Sequence, residues 1–523
     1  VNSLRTRFLA TFDRTFGWLV AGLVLAAILG FGGTAWWCRP ALAAGATGLT
    51  LLLIARNLVA GRAPILKSPL GLLGLAVLGL GILQIAPLPA SLAARLSPTA
   101  REAYTRGFLP ELALADAPGA ALGEAPAIRS PASLDRAATI RKLALAAACL
   151  GIFWCASHAV DRLQRLYLVW GAVIAGFLLN TTLALVQVST RTEGLYGFCV
   201  PGAAAPWWAP DVNDVLDAPA VAALRELPAT TAPGSAPAAY LEVVRPFTFG
   251  TLPGGVGGFL ALGALALPLI LALVLHLGSP RGSREAWFDR LGRTGQGSLA
   301  ILLVLLAIPG AVLVGMAAGP WFCPPFAIGL AMVGLPALFT PGARALGFGL
   351  AAAMLVALAS GAAMQARWDD LAGARPPLKA PDWRESREVW RDAARIFREF
   401  PLVGVGLGGF GAVQPYYKDR DVASNTAMSS LLQWAAEAGA AGLAILGVGA
   451  LWCLIRIPGG LKRLGTMDRF LAHGLIGAVL GLSLLAAVHW TVELTAVAVS
   501  ASALGGTWNR WLAGGTDLFV EHG

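Results

Sequence analysis

About twelve apolar runs, each close to the twenty residues that a helix needs to cross a bilayer, leave this chain little choice of architecture. The first lies within residues 1–37, and the others cover approximately 41–55, 69–87, 143–159, 166–187, 255–277, 299–317, 322–340, 345–364, 431–455, 471–489 and 492–509. A membrane β-strand uses only about ten residues, so runs of this length call for helices. The sequence therefore predicts an all-α, polytopic integral membrane protein with about 12 transmembrane helices, forming a single integral membrane domain over 1–523. Composition agrees: 13% of residues are charged, against about 25% in soluble domains, and mean hydropathy is +0.68.

The first run follows a basic leader with Arg5, Arg7 and Arg14. It is too long for a signal-peptide core of about 7 to 15 residues, so a retained first span is expected. The formal net charge of +10 does not point to nucleic acid, because the basic residues fall in short clusters between apolar runs, as membrane topology requires. With the N-terminus inside, Arg56, Arg62 and Lys67, then Arg162 and Arg165, then Arg281 to Arg293, then Arg344, then Arg456, Lys462, Arg463 and Arg469 all become cytoplasmic. Both termini are then inside, and three long segments lie outside, at 88–141, 188–254 and 365–430. The first holds a surface-hugging helical pattern and an Ala/Pro/Gly-rich loop. The second carries tandem Trp207 and Trp208, suited to a membrane interface or to stacking on a sugar.

The third outer segment leads into the most charged stretch of the chain, residues 383–442. Arg384, Arg387, Arg391, Arg395 and Arg398 recur at helical spacing and form one stripe. Trp383, Trp390, Ala394 and Phe397 form an apolar stripe beside it, which predicts an amphipathic helix at a membrane surface with its aromatic face down. Two readings of the arginine row stand side by side. It either offers guanidinium groups to an anion, or forms a solvated face neutralised by Glu388, Asp392 and Glu399.

Gly404, Gly406 and Gly409 satisfy the dinucleotide-binding spacing, but here they follow a helix and lack the strand-turn-helix context that gives it meaning. They fit a tight turn or a close approach to a ligand better. Asp419 and Asp421 read as a solvated turn flanked by Lys418 and Arg420. Glu437 and Glu493 lie at the ends of apolar spans, where an ionisable group is costly unless paired or used. The six cysteines and five histidines show no metal-ligand spacing, and neither a metal nor a cofactor is expected.

The run SREVWRDAARIFREFPLVGVGLGGF, followed by AMSSLLQWAAEAGAAGL and AAVHWTVELTAVAVSASALGG, resembles the O-antigen ligase family. That family includes O-antigen polymerases and protein O-oligosaccharyltransferases. Weaker similarity extends to LGILQIAPLPASLAARLSP and to RPFTFGTLPGGVGGFL. The resemblance implies transfer of a polyprenyl-diphosphate-linked glycan to a glycan or protein hydroxyl at the outer face of the bacterial inner membrane, with membrane lipids as further partners. Arg384, Arg387 and Arg391 would bind the donor diphosphate, Arg387 with a catalytic part as well. Glu437 and His489 would be the candidate bases, supported by Trp390, Gly404, Gly406 and Glu493. The sequence departs from the family where an outer-loop His-Asn pair is expected, which falls on Met428 and Ser429. It departs again at Pro253 to Val256 and at Ala317 to Gly319. Two alternatives follow: a catalytically inactive relative that binds an envelope glycan, or a bicarbonate or small-solute transporter with broken helices and midplane charges.

Overall fold

The computed structural model describes residues 2–61, 68–104, 130–190, 248–249, 252–253, 256–278, 295–340, 343–371, 383–418, 424–465, 468–490 and 494–512. The chain is an all-α, multi-pass membrane protein. Its main helices are α1 (Asn2–Leu29), α2 (Cys38–Ala60), α3 (Pro69–Ile85), α4 (Ala90–Leu96), α5 (Arg136–Ala159), α6 (Leu163–Thr190), α7 (Val256–Gly278) and α8 (Gly295–Phe322). There follow α9 (Pro324–Leu338), α10 (Arg344–Leu371), α11 (Trp383–Glu399), α12 (Phe410–Val413), α13 (Ser430–Lys462), α14 (Asp468–Val488) and α15 (Thr495–Leu512). A two-residue antiparallel pairing of Thr248–Phe249 with Leu252–Pro253 precedes α7.

Nine of the described helices, α1, α2, α5 to α8, α10, α13 and α14, are long and apolar enough to cross a membrane. The sequence predicts about twelve spans, and the three remaining runs are helical too but differ in kind. Helix α3 has 17 residues. Helix α9 has 15, its start fixed by Pro324 and Pro325, which have no N–H to offer a preceding turn. Helix α15 has 18 residues and carries Asn509 and Arg510 near its end. The expected loop features at 105–129 and at Trp207 and Trp208 lie outside the described residues.

The chain divides into two compact units. One comprises residues 1–68, 151–381 and 454–523 and is built around α7, which is buried along its whole length from Val256 to His276. An all-round apolar helix has no polar face to turn outward, so it takes the centre. Helices α8, α9 and α14 pack on it. Helices α8 and α10 approach so closely that a Cβ added to Gly315 would lie 2.0 Å from the Leu358 carbonyl oxygen, and one on Gly361 2.0 Å from that of Val312. Apolar burial gives no drive between helices in lipid, and such small-residue contacts supply van der Waals attraction in its place.

The second unit comprises residues 69–150 and 382–453. Its core has two patches. Val389, Ala393, Ile396 and Phe400 pack with Val405, Phe410 and Val413. Leu80, Leu88 and Ala132 pack with Val403, Leu407 and Ala438.

Candidate functional site

Helix α11 shows three faces. Val389, Ala393 and Ile396 are buried in the core of the second unit, and Phe400 continues this stripe just beyond the helix. Arg387, Arg391 and Arg398 are exposed on the opposite side, because steps of three and four residues keep them on one line. Trp390, Ala394 and Phe397, the stripe expected to lie on a membrane, are half-buried between these two faces. The face that anchors the helix is therefore a different stripe, and it rests on protein. Trp383 and Arg384 belong to the first turn of the helix.

Not every charge on the helix is solvated. Asp392 is buried and accepts a hydrogen bond from the Gln414 amide at 3.0 Å. Gln414 in turn accepts the Ser424 N–H at 3.1 Å. Arg395 donates to the Tyr417 carbonyl at 3.3 Å and lies 4.0 Å from Asp392. The Tyr417 hydroxyl donates to Glu399 at 2.5 Å. Burial, reinforced by that hydrogen bond and the Glu399 charge, pushes the phenol above its usual pKa. The acidic flank of α11 is thus partly occupied in holding Gln414 and Tyr417.

Helix α13 is broken at Gly439, whose φ of 64° and ψ of −162° are outside the helical range. A break exposes backbone donors and acceptors that must find partners when buried. The segment that follows α11 supplies them. Val405 and Gly406 donate N–H bonds to the Ala436 and Glu437 carbonyls at 3.0 and 3.1 Å, and Ala440 and Ala441 donate to Pro401 and Leu402 at 2.7 and 3.0 Å. The two backbones run so close that a Cβ on Gly404 would lie 2.3 Å from the Glu437 carbonyl. Gly404 and Gly406, with Gly408 beside them, have positive φ and form a turn against the helix break, whereas Gly409, the third glycine of the sequence pattern, has a φ of −82° and precedes α12.

Glu437 stands two residues before the break and is buried, with 3% of its surface exposed. One carboxylate oxygen accepts the Gly408 N–H at 2.7 Å and the other accepts the Gln433 amide at 2.9 Å. Among the described residues it makes no ion pair. Gln84, fully buried on α3, completes the arrangement. Its amide donates to the carbonyls of Val403 at 2.6 Å and Glu437 at 2.8 Å, while its own oxygen accepts the Leu407 N–H at 3.1 Å. Ser133 adds a further support: its N–H donates to the Gln84 carbonyl at 2.9 Å, and its hydroxyl pairs with that of Thr139 at 2.7 Å. Sequence reasoning passes over Gln84, yet a signal exists: it is the lone hydrogen-bonding side chain in the apolar helix PLGLLGLAVLGLGILQI.

Met428, where the family resemblance calls for histidine, has a φ of 52° and packs against the core patch containing Ile396 and Phe410. Ser429 beside it is buried and caps α13, its hydroxyl accepting the Leu432 N–H at 3.3 Å. His489 belongs to the other unit and follows α14. It packs edge-on against Phe322 with ring centroids 5.7 Å apart, and a Cβ on Gly257 would lie 2.7 Å from its ring. Glu493, Asp419 and Asp421 lie outside the described residues. The second unit thus contains Arg387, Arg391, Trp390, Gly404, Gly406 and Glu437, with the two arginines on the side of α11 opposite to the face packed on the glycine turn. Among the described residues no cluster of metal-ligating side chains occurs. Such an arrangement can offer fixed guanidinium groups to an anion and a buried carboxylate to a rigid turn. No model of a known protein family matches the chain, and no curated protein matches it.

Proposed function

We propose that the protein transfers a polyprenyl-diphosphate-linked glycan to an acceptor hydroxyl at the outer face of the bacterial inner membrane, in the manner of O-antigen ligases and polymerases. On this reading the twelve apolar runs all cross the membrane and both termini are cytoplasmic. The observation that carries it is the exposed guanidinium row of α11, held by the buried stripe Val389, Ala393 and Ile396 on a unit whose glycine turn is tied to Glu437. A departing diphosphate gathers negative charge, and preorganised guanidiniums stabilise it in proportion to how firmly they are fixed. Arg384, Arg387 and Arg391 are assigned to the donor diphosphate. Glu437 is assigned to the acceptor side, where it positions the turn and can accept a proton from a hydroxyl held in line.

The break in α13 favours this reading over a transporter. Residues 440–462 still provide 23 residues beyond Gly439, about 35 Å of helix at 1.5 Å per residue. The break and its carboxylate thus stand at one end of a membrane-length segment, while a solute carrier needs them near the middle.

The test is glycan transfer in membranes containing the full chain and a polyprenyl-diphosphate donor. Arg387→Lys keeps the charge but loses the planar fork, and transfer falls by about tenfold, the equivalent of one charge-assisted hydrogen bond. Unchanged transfer with lysine at Arg384, Arg387 and Arg391 together, at equal protein level, would overturn the assignment. A second reading is favoured by Met428, whose thioether cannot take a proton at the position of the family histidine. On that reading the protein binds a lipid-linked glycan without turning it over. A parent inactive in transfer, with activity gained in Met428→His, selects it.

A further inference from the structure

We propose that a cavity between the end of α9 and the start of α14 is a binding site for an anionic phospholipid of the surrounding membrane. The cavity has a volume of about 610 Å³. It lies within the first unit and involves none of the residues assigned above to glycan transfer. Its lining combines apolar Leu335, Pro336, Phe339 and Phe470 with polar Thr340, Arg469 and His473.

Each part has a physical reason to be there. Phe339 is 81% exposed and Leu335 56% exposed. Large apolar groups standing this far out, beside a chain that crosses a membrane, face acyl chains and not water. Arg469 spends one nitrogen on the fold, donating from Nε to the Leu464 carbonyl at 3.1 Å. That bond fixes the guanidinium plane and leaves its two terminal nitrogens directed elsewhere, which suits a forked contact with phosphate oxygens. His473 lies one turn further on the same face of α14 and donates from Nδ1 to the Arg469 carbonyl at 2.6 Å, so its Nε2 is left to the cavity as an acceptor, which suits a hydroxyl of the lipid head group.

The opposite rim is orderly as well. The Thr340 hydroxyl donates to the Pro336 carbonyl at 3.1 Å, and Arg344 donates to the Leu338 carbonyl at 2.7 Å, so the last turn of α9 is closed by side chains and a second guanidinium is held beside it. Basic residues at helix ends, next to an apolar groove, match the two halves of an amphiphile with a phosphate head. A zwitterionic lipid would set its own cation against this cluster, and a free anion would leave Leu335 and Phe339 without a partner.

The experiment uses the full chain released from membranes in mild detergent, with native mass spectrometry and thermal melting as readouts. Phosphatidylglycerol and phosphatidylcholine of matched chain length are supplied in equal amounts, and inorganic phosphate is supplied separately. The expected result is one phosphatidylglycerol retained in preference to phosphatidylcholine, with a higher melting temperature. Arg469→Gln lowers the preference by roughly fivefold, the loss of one cation beside the phosphate, and adding His473→Gln in a double variant lowers it further by the loss of a hydrogen-bond partner. Arg469→Lys retains part of it, and this separates loss of the site from loss of the fold. Phe339→Ser weakens lipid retention without changing the response to phosphate. Equal retention of the two lipids, or a preference unaltered in the double variant, overturns the proposal. Full stabilisation by inorganic phosphate alone overturns the lipid as occupant and leaves a free-anion site.

Discussion

Glycine at position 439 carries more of this structure than its lack of a side chain suggests. With a φ of 64° and the Leu402 carbonyl oxygen 2.5 Å from where a Cβ would lie, Gly439→Ala introduces backbone strain and a clash together. The expected cost is on the order of 3 kcal/mol, read as a lower melting temperature of the detergent-solubilised protein. Glu437 makes a finer distinction. Glu437→Gln keeps one oxygen to accept the Gly408 N–H but sets its own NH2 against the Gln433 amide, a second donor, and is expected to melt between the parent and Glu437→Leu. Glu437→Leu leaves that N–H and the Gln433 amide buried without partners, which costs about 2 kcal/mol. If both variants melt alike, the carboxylate does not hold the turn. Glu437 was legible as a candidate from sequence because an acid at the end of an apolar run demands a reason. Its partners were not legible, since Gly408 and Gln84 are far from it in the chain and only folding brings them near.

At the scale of the element, α11 illustrates how periodicity finds a helix without identifying its buried side. Two apolar stripes are available, Trp390, Ala394 and Phe397 on one and Val389, Ala393 and Ile396 on the other, and the aromatic one looks the stronger by residue size. The structure buries the aliphatic one, because the surface it meets is the turn of 400–413, where Val405 and Phe410 leave room for small and branched side chains. Ile396→Ala is therefore expected to destabilise the second unit by about 2 to 4 kcal/mol. Phe397→Ala, on the half-buried flank, is expected to cost less than half of that. A melting curve or limited proteolysis of the two variants side by side checks the order, and equal losses would return the aromatic stripe to the core.

Across the whole molecule, hydropathy read the helices well: each of the twelve predicted apolar runs overlaps a helix of the structure over most of its length. Where prediction and structure part, the cause is local chemistry, such as the paired prolines that shorten α9. Orientation is a separate question, because charge bias alone sets the expectation that residues 365–430 face outward. Site-directed labelling answers it if the reporter is accessible to reagent. Ser386 would be a poor choice, being 4% exposed, whereas Arg398 is open to solvent at the end of α11. In a background with the native cysteines replaced, Arg398→Cys is expected to react with an impermeant maleimide in intact cells whose outer membrane has been opened. A cysteine at Ser283, within the basic connection 281–293, is expected to react only after the inner membrane is permeabilised. The reverse pattern would put the arginine face of α11 in the cytoplasm, where nucleotide-activated sugars are available, and glycan transfer from a lipid-diphosphate donor would lose its rationale.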